Sequence, residues 1–181
     1  GAHSFHISPS DELDDINLFK RTISLSSPHS NSNNPFLFNN PNKFFHLSSK
    51  NPSLKIAFLF LTNSDLHFSS LWDHFFSSTP SNLFNIYIHA YPSFNLTLPL
   101  SPLFKNKFIH SKRTFRASLT LISATRRLLA TALLDDPSNA YFALLSQHCI
   151  PLHSFTYTYN SLFLSPTFDS QDPESSCIFV L

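Results

Sequence analysis

The sequence predicts an α/β protein with a mostly parallel sheet that carries helices on both faces. Three short apolar runs support this prediction, at residues 56–61, 84–89 and 141–145. Each has the length of a strand that is buried on both faces, and amphipathic helical patterns separate the runs along the chain. The first two runs and the helix between them form a βαβ unit, in which the strands are parallel and the crossover is right-handed.

The elements follow one another from residue 55 onwards. After the first strand, residues 62–65 include the side chains that cap helices, and apolar residues at three- and four-residue spacing predict a helix over 65–77. A short further strand is predicted at 108–110, a long helix at 118–134 and a last helix at 154–163. The long helix places Leu121, Ala124, Leu128 and Ala132 on one face.

Three regions follow from this pattern. Residues 1–53 are rich in Ser, Asn, Pro and His and are predicted to be a mostly irregular stem or linker. The helical hint in this region lies where Ser10, Asp11 and Glu12 precede the apolar Ile16, Leu18 and Phe19. Residues 54–164 form the α/β unit, and 165–181 a divergent tail.

Composition excludes several classes of enzyme. The single glycine is Gly1, so phosphate-binding loops, dinucleotide-binding fingerprints and the nucleophile elbow of hydrolases are absent. A net charge of +1 implies neither nucleic acid nor an anionic membrane as partner. No apolar stretch has the length of a membrane span, and the chain has no Met. We therefore expect a fragment or processed chain, with any membrane anchor outside it.

Polar residues follow each predicted strand directly. They are Thr62 and Asn63, His89, and then Ser146 and Gln147. Ligands bind at the carboxyl ends of the strands in open parallel sheets, so these positions are candidates for a binding site. Strands also end in polar turn residues for structural reasons alone, and the pattern leaves both interpretations open.

Basic residues suggest how such a site would hold an anion. Seven lie between residues 105 and 127, namely Lys105, Lys107, Lys112, Arg113, Arg116, Arg126 and Arg127. The sequence has no Asp-x-Asp pair to hold a divalent metal, so cations of this kind would neutralise a diphosphate instead. A solvated surface is the alternative for most of them. Arg126 and Arg127 lie about 100° apart on a helix, so at most one points into a site.

Metal and thiol chemistry find less support. The spacings of the ten His match no ligand motif, and Cys149 and Cys177 fit no metal-finger spacing. Cys149 follows a buried strand and is expected to be a small core residue rather than a nucleophile. Asn95 begins a glycosylation sequon, Asn-Leu-Thr, which matters only in the secretory pathway.

Four segments carry a family resemblance. In chain order they are LKIAFLFLT, LWDHFF, FNIYIHAYPSF and SATRRLLATALLDDPSNAYFALLSQHCIPLHSF. Together they resemble the plant branch of the Core-2/I-branching β-1,6-N-acetylglucosaminyltransferase family, over residues 55–163. The resemblance implies a Golgi type II membrane protein with a lumenal domain of GT-A type. It also implies inverting transfer of N-acetylglucosamine from its UDP donor to a glycan acceptor, without a metal.

The resemblance also suggests site residues. Thr62 and His89 match positions beside the nucleotide, and the loop containing Arg116 and Ser118 matches a donor-side loop. Gln147 stands where many relatives have an acidic residue, so it would keep a hydrogen bond but not a charge. With Arg126 and Ser146, these residues form our predicted donor site.

The resemblance implies that the general base is a glutamate from the later half of the family's domain. It also implies that the basic residues that offset the diphosphate come from that later half. This chain has two glutamates, Glu12 and Glu174, both outside 55–163. We therefore expect the chain to bind a donor without turning it over. A non-catalytic Golgi scaffold and a truncated gene product are the alternatives.

Overall fold

The computed structural model describes residues 9–26, 53–91, 101–115, 118–164 and 179–180. Its helices are α1 (Pro9–Ser26), α2 (Ser69–Ser77), α3 (Leu119–Asp135) and α4 (Phe155–Phe163). Its strands are β1 (Lys55–Thr62), β2 (Phe84–Ala90), β3 (Asn139–Ser146) and the two-residue β4 (Phe179–Val180). Helices and parallel strands alternate through most of the described chain, which confirms the predicted α/β class.

The strands form an open sheet in the order β2-β1-β3-β4, and every pair is parallel. Strand β1 lies between β2 and β3, with Phe58 opposite Ile86 on one side and Ala143 on the other. Residues 56–60 are all buried, because helices cover both faces of this strand. This burial explains why its sequence is continuously apolar instead of alternating.

An aromatic core lies between the sheet and helices α2 and α4. Phe58 is at its centre and makes edge contacts with Trp72, Phe75 and Phe76, with ring centroids 5.0–6.0 Å apart. Edge-to-face packing at these distances is the arrangement that aromatic rings prefer. Phe155 of α4 joins the same cluster at 4% exposure. Many of the Phe residues of the sequence therefore pack on this one face of the sheet.

Helix α3 covers the other face of the sheet, and α1 packs against α3. The second core contains Ala57 and Leu59 of β1, Tyr87 of β2, and Leu128 and Ala132 of α3. Helices thus lie on both faces, as the sequence predicted. The helical hint near residue 10 is also confirmed, so residues 9–26 are not irregular. Residues 27–52 lie outside the described residues.

Several elements differ from the sequence prediction in detail. Helix α2 begins at Ser69 rather than residue 65, and no side chain caps it. The reason is that Asp65 and Leu66 are buried, at 6% and 5% exposure, so the chain turns inward before the helix starts. The predicted strand at 108–110 is a single bridge between Phe108 and Ile88. Leu121 is 38% exposed and does not join the core face of α3.

Within the described residues, no helix is both long and apolar enough to cross a membrane.

Candidate functional site

The carboxyl ends of β1 and β3 meet at the edge of the sheet. The Gln147 side-chain amide donates a hydrogen bond to Asn63 Oδ1 at 2.9 Å. Thr62 is buried and its hydroxyl bonds to the carbonyl of Ser64. Ser146 is exposed, and its Oγ accepts a hydrogen bond from the backbone N–H of His148 at 3.3 Å. Because parallel strands end at one edge, three predicted residues lie close together there.

His89 is the residue before the last in β2 and lies at the same edge, with 0% exposure. The backbone N–H of Lys112 donates to its Nε2 at 3.3 Å, and Arg127 Nη1 lies 2.9 Å from the same atom. Two donors converge on Nε2, so this nitrogen is the acceptor and the proton of the neutral ring is on Nδ1. Burial, followed by the charge of Arg127, lowers the pKa of His89 to about 4. His89 is therefore neutral at pH 7.

Arg127 connects this edge to α1. Its Nε and Nη2 donate to the two carboxylate oxygens of Asp15 at 2.8 and 2.6 Å. The Lys112 ammonium lies 3.3 Å from Asp15 Oδ1, and both cations are buried. Burial alone would raise the pKa of Asp15, but the hydrogen bonds and charges of Arg127 and Lys112 lower it. Asp15 is thus a carboxylate held between two buried cations.

The two neighbouring arginines of α3 lie on different faces. Arg127 is 5% exposed and points into the cluster, whereas Arg126 is exposed. The sequence predicted that at most one of them enters a site, and the structure assigns this position to Arg127. Arg126 is the residue that the sequence places in the predicted donor site. In the structure it is exposed and lies away from the buried cluster.

Helix α3 runs from the carboxyl edge of the sheet to the opposite edge. Ser118 caps its first turn, accepting from Thr120 N–H at 3.3 Å, which confirms the predicted helix start. At its other end, Asp136 pairs with Lys55 at the start of β1, at 2.8 Å. Of the remaining predicted residues, Arg116 and Asn95 lie outside the described residues.

A cleft of about 630 Å³ opens along β2, between α1, α3 and residues 106–112. Its polar lining includes Asp15, Lys112 and Arg127 at one end and Tyr87 and Asp135 at the other. The Tyr87 hydroxyl donates to Asp135 at 2.8 Å, and burial raises its pKa. This cleft was not predicted from the sequence, because one of its walls is α1, whose docking onto α3 has no local signal in the sequence.

The same edge brings together two histidines that are far apart in the chain. His67 and His148 stack with ring centroids 6.4 Å apart. In the described part of the chain, no three His, Cys, Asp or Glu side chains cluster as metal ligands would. The expectation of metal independence stays a prediction.

The fold and these contacts define an open, parallel α/β protein whose strand ends, together with an adjoining cleft, provide the candidate ligand site. The family model described as "Branch: Core-2/I-Branching enzyme" matches residues 56–175. The chain therefore belongs to the Core-2/I-branching enzyme family, which confirms the resemblance. The match continues past the boundary predicted at residue 164 and includes Glu174.

One curated relative is Glycosyltransferase BC10 from Oryza sativa subsp. japonica. It is 36% identical over 116 residues, which cover 62% of this chain and 29% of the relative. The chain thus spans less than a third of the length of that relative. No solved structure matches the chain at a significant level.

Proposed function

We propose that this chain forms the donor-binding part of a glycosyltransferase and holds a nucleotide sugar at the carboxyl edge of its sheet. Membership of the Core-2/I-branching enzyme family supports the proposal, as does the name of the rice relative. The observation that carries it is the convergence of the ends of β1, β2 and β3, where Gln147 reaches Asn63 at 2.9 Å. This is where open α/β proteins bind their ligands.

The donor in this proposal is a UDP-sugar, and UDP-N-acetylglucosamine is the sugar nucleotide that the resemblance favours. Transfer to a glycan acceptor would proceed with inversion, without a metal, in the Golgi lumen. Buried Lys112 and Arg127 at the end of β2 support metal-independent charge neutralisation, because both are cations within reach of one anionic group. Surface cations such as Arg126 and Arg116 would contribute less, since solvent screens them.

Individual residues have distinct roles in the proposal. Gln147 and Asn63 present amide groups to the hydroxyls of the nucleotide or sugar. His89 has a positioning role, because it is buried and its Nε2 accepts from Arg127 and from the backbone N–H of Lys112. Thr62, Ser146 and Ser118 shape the surrounding loops.

We further propose that the chain does not turn over the donor by itself. A general base must be free to reach the acceptor hydroxyl. Three carboxylates in the described part of the family-matched segment already accept bonds within the fold: Asp73 from Ser101, Asp135 from Tyr87 and Asp136 from Lys55. A fourth, Asp65, is 6% exposed. None of these four is placed as a base, and Asp169, Asp172 and Glu174 of the same segment lie outside the described residues.

Calorimetric titration with UDP and with UDP-N-acetylglucosamine tests the proposal. We expect saturable binding by the wild type, and roughly five- to tenfold weaker binding by Gln147→Ala, as for the loss of one hydrogen bond. Asn82→Ala is the matched control, because Asn82 lies at the opposite edge of the sheet. Its side-chain amide donates to Ser53, which precedes β1, and Asn82 itself precedes β2. The absence of heat with every nucleotide, from a folded sample, would contradict donor binding and favour a non-catalytic scaffold.

A further inference from the structure

The carboxylate of Asp15 is held by cations that come from two separate parts of the chain. Arg127 of α3 binds both of its oxygens, and the Lys112 ammonium lies 3.3 Å from Oδ1. The side chains of Arg127 and Lys112 are only 6% and 7% exposed. Two cations buried this deeply need an anion beside them, because leaving either one unpaired is strongly destabilising.

The position that Asp15 occupies also suits a phosphate. A phosphate group presents the same pair of oxygens to an arginine fork as a carboxylate does, and lysine is a common additional phosphate ligand. The position lies at the carboxyl end of β2, where His89 Nε2 is 2.9 Å from Arg127 Nη1. The cleft of about 630 Å³ adjoins it and is lined by Asp15, Lys112 and Arg127. A larger molecule that carries the phosphate would therefore have room beside it.

Helix α1 is attached to the rest of the described fold through α3 and through the ion pairs of Asp15. It packs chiefly on α3, and three of its large apolar side chains remain exposed: Leu13 at 59%, Ile16 at 40% and Ile23 at 62%. Leu18 and Phe19 are half-buried, and none of the described side chains of α1 is fully buried, so each contributes less apolar burial than a core residue. The ion pairs of Asp15 are a major part of its attachment.

We propose that Lys112 and Arg127 form a diphosphate-binding site, and that α1 covers this site with Asp15 as an internal competitor for the phosphate. The inference rests on the proposed function, in which the diphosphate is that of the donor nucleotide. Binding then requires Asp15 to leave the two cations. The apparent affinity is lowered by the fraction of molecules in which α1 is docked.

The proposal predicts that one substitution, Asp15→Asn, increases the affinity for a phosphate-bearing ligand. Asp15→Asn keeps the size and hydrogen-bonding capacity of the side chain but removes its charge, so it competes less well for the cations. We expect inorganic pyrophosphate and UDP to bind about tenfold more tightly to this variant than to the wild type. If Asp15 were only a structural partner, the substitution would leave binding unchanged or weaken it.

Calorimetry with pyrophosphate and UDP, on the wild type and on three variants, measures whether binding becomes tighter or weaker. Asp14→Asn is the matched control, because Asp14 is adjacent in sequence, is 69% exposed and lies 4.0 Å from Lys112 Nζ. The expected result is tighter binding by Asp15→Asn and little change for Asp14→Asn. Adding Arg127→Gln to Asp15→Asn should abolish the gain. Unchanged or weaker pyrophosphate binding by folded Asp15→Asn would overturn the inference.

Two further outcomes separate this inference from the proposed function. Tighter pyrophosphate binding by Asp15→Asn, with no UDP binding by any variant, supports the covered anion site while the donor assignment fails. UDP binding by the wild type that does not increase in Asp15→Asn overturns the cover while the donor assignment stands. If Asp15→Asn does not fold, hydrogen exchange of the wild type decides. Saturating pyrophosphate should speed exchange of the α1 amides, and unchanged or slower exchange would overturn the inference.

Discussion

The indole nitrogen of Trp72 donates a hydrogen bond to the backbone carbonyl of Cys149 at 3.0 Å. Trp72 belongs to α2 and is 4% exposed, whereas Cys149 belongs to the loop that follows β3. The bond therefore ties this loop to the aromatic core. Gln147, two residues earlier, reaches Asn63 from the same loop. The packing of one face of the sheet thus helps to position the residues at its carboxyl edge.

Replacing Trp72 by Phe tests this link. Phe retains an aromatic ring but cannot donate to the carbonyl of Cys149. We expect the free energy of unfolding to fall by about 1–3 kcal/mol, from the lost bond and the smaller buried ring. Urea denaturation measures the change, with Ser70→Ala, an exposed position of the same helix, as the control. Equal stability of Trp72→Phe and Ser70→Ala would show that the bond contributes nothing.

The centre of the aromatic core should be the most sensitive position of the fold. Phe58 is 4% exposed and contacts four other aromatic rings. We expect Phe58→Ala to cost about 3–5 kcal/mol, because it removes apolar contacts and leaves a cavity. Leu119→Ala, at a position 74% exposed, should change stability by less than about 0.5 kcal/mol. Similar losses in the two variants would contradict the described core.

His89 should make the stability depend on pH in the mildly acidic range. Its pKa is lowered from 6.5 to about 4 in the folded chain, so the unfolded chain binds the proton more readily between these values. Stability is therefore greatest above pH 6.5 and falls as the pH decreases towards 4, by up to roughly 3 kcal/mol. His89→Gln retains an acceptor for Lys112 and Arg127 and does not titrate. Its unfolding free energy should be flatter between pH 7 and pH 4.5, and a curve parallel to that of the wild type would refute the assignment.

Asp136 should contribute strongly to the pH dependence of stability at lower pH. Burial would raise its pKa, but the hydrogen bonds from Lys55, Asn85 and Ser138 lower it from its usual value of 3.8. Its stabilisation is therefore complete above pH 3.8 and is lost as the pH falls below that value. At pH 7, Asp136→Asn should cost about 1–3 kcal/mol, as for a hydrogen bond to a charged group. The difference in stability between the wild type and this variant should shrink steadily as the pH falls below 3.8. A constant difference across this range would contradict the pairing of Asp136 with Lys55.

Local patterns in the sequence were sufficient to predict most of the fold. The apolar run at 56–61 becomes β1 because both faces are covered, and Ser118 caps α3 as its residue type suggests. The start of α2 was misplaced because the burial of Leu66 depends on the tertiary core, which no local signal reveals. Strand β4 was missed, since a two-residue strand has no periodicity of its own.

The candidate site was only partly predictable. The strand ends at Thr62, His89 and Gln147 follow from the rule for parallel sheets. The pairing of Arg127 with Asp15 spans 112 positions in the sequence, and it depends on how α1 docks onto α3. Helical geometry showed that Arg126 and Arg127 face different directions, but it did not show which of them points inward. That choice is made by the buried cluster of Asp15, Lys112 and His89.

The most direct test of the account is to map nucleotide binding residue by residue. The backbone amide resonances of the chain would be followed by NMR during titration with UDP. The account predicts the largest shifts at the three strand ends, residues 62–64, 89–91 and 146–148, and at Lys112 and Arg127. Shifts confined to the opposite edge, at residues 53–55, 82–84 and 136–139, or the absence of any shift from a folded sample, would contradict it.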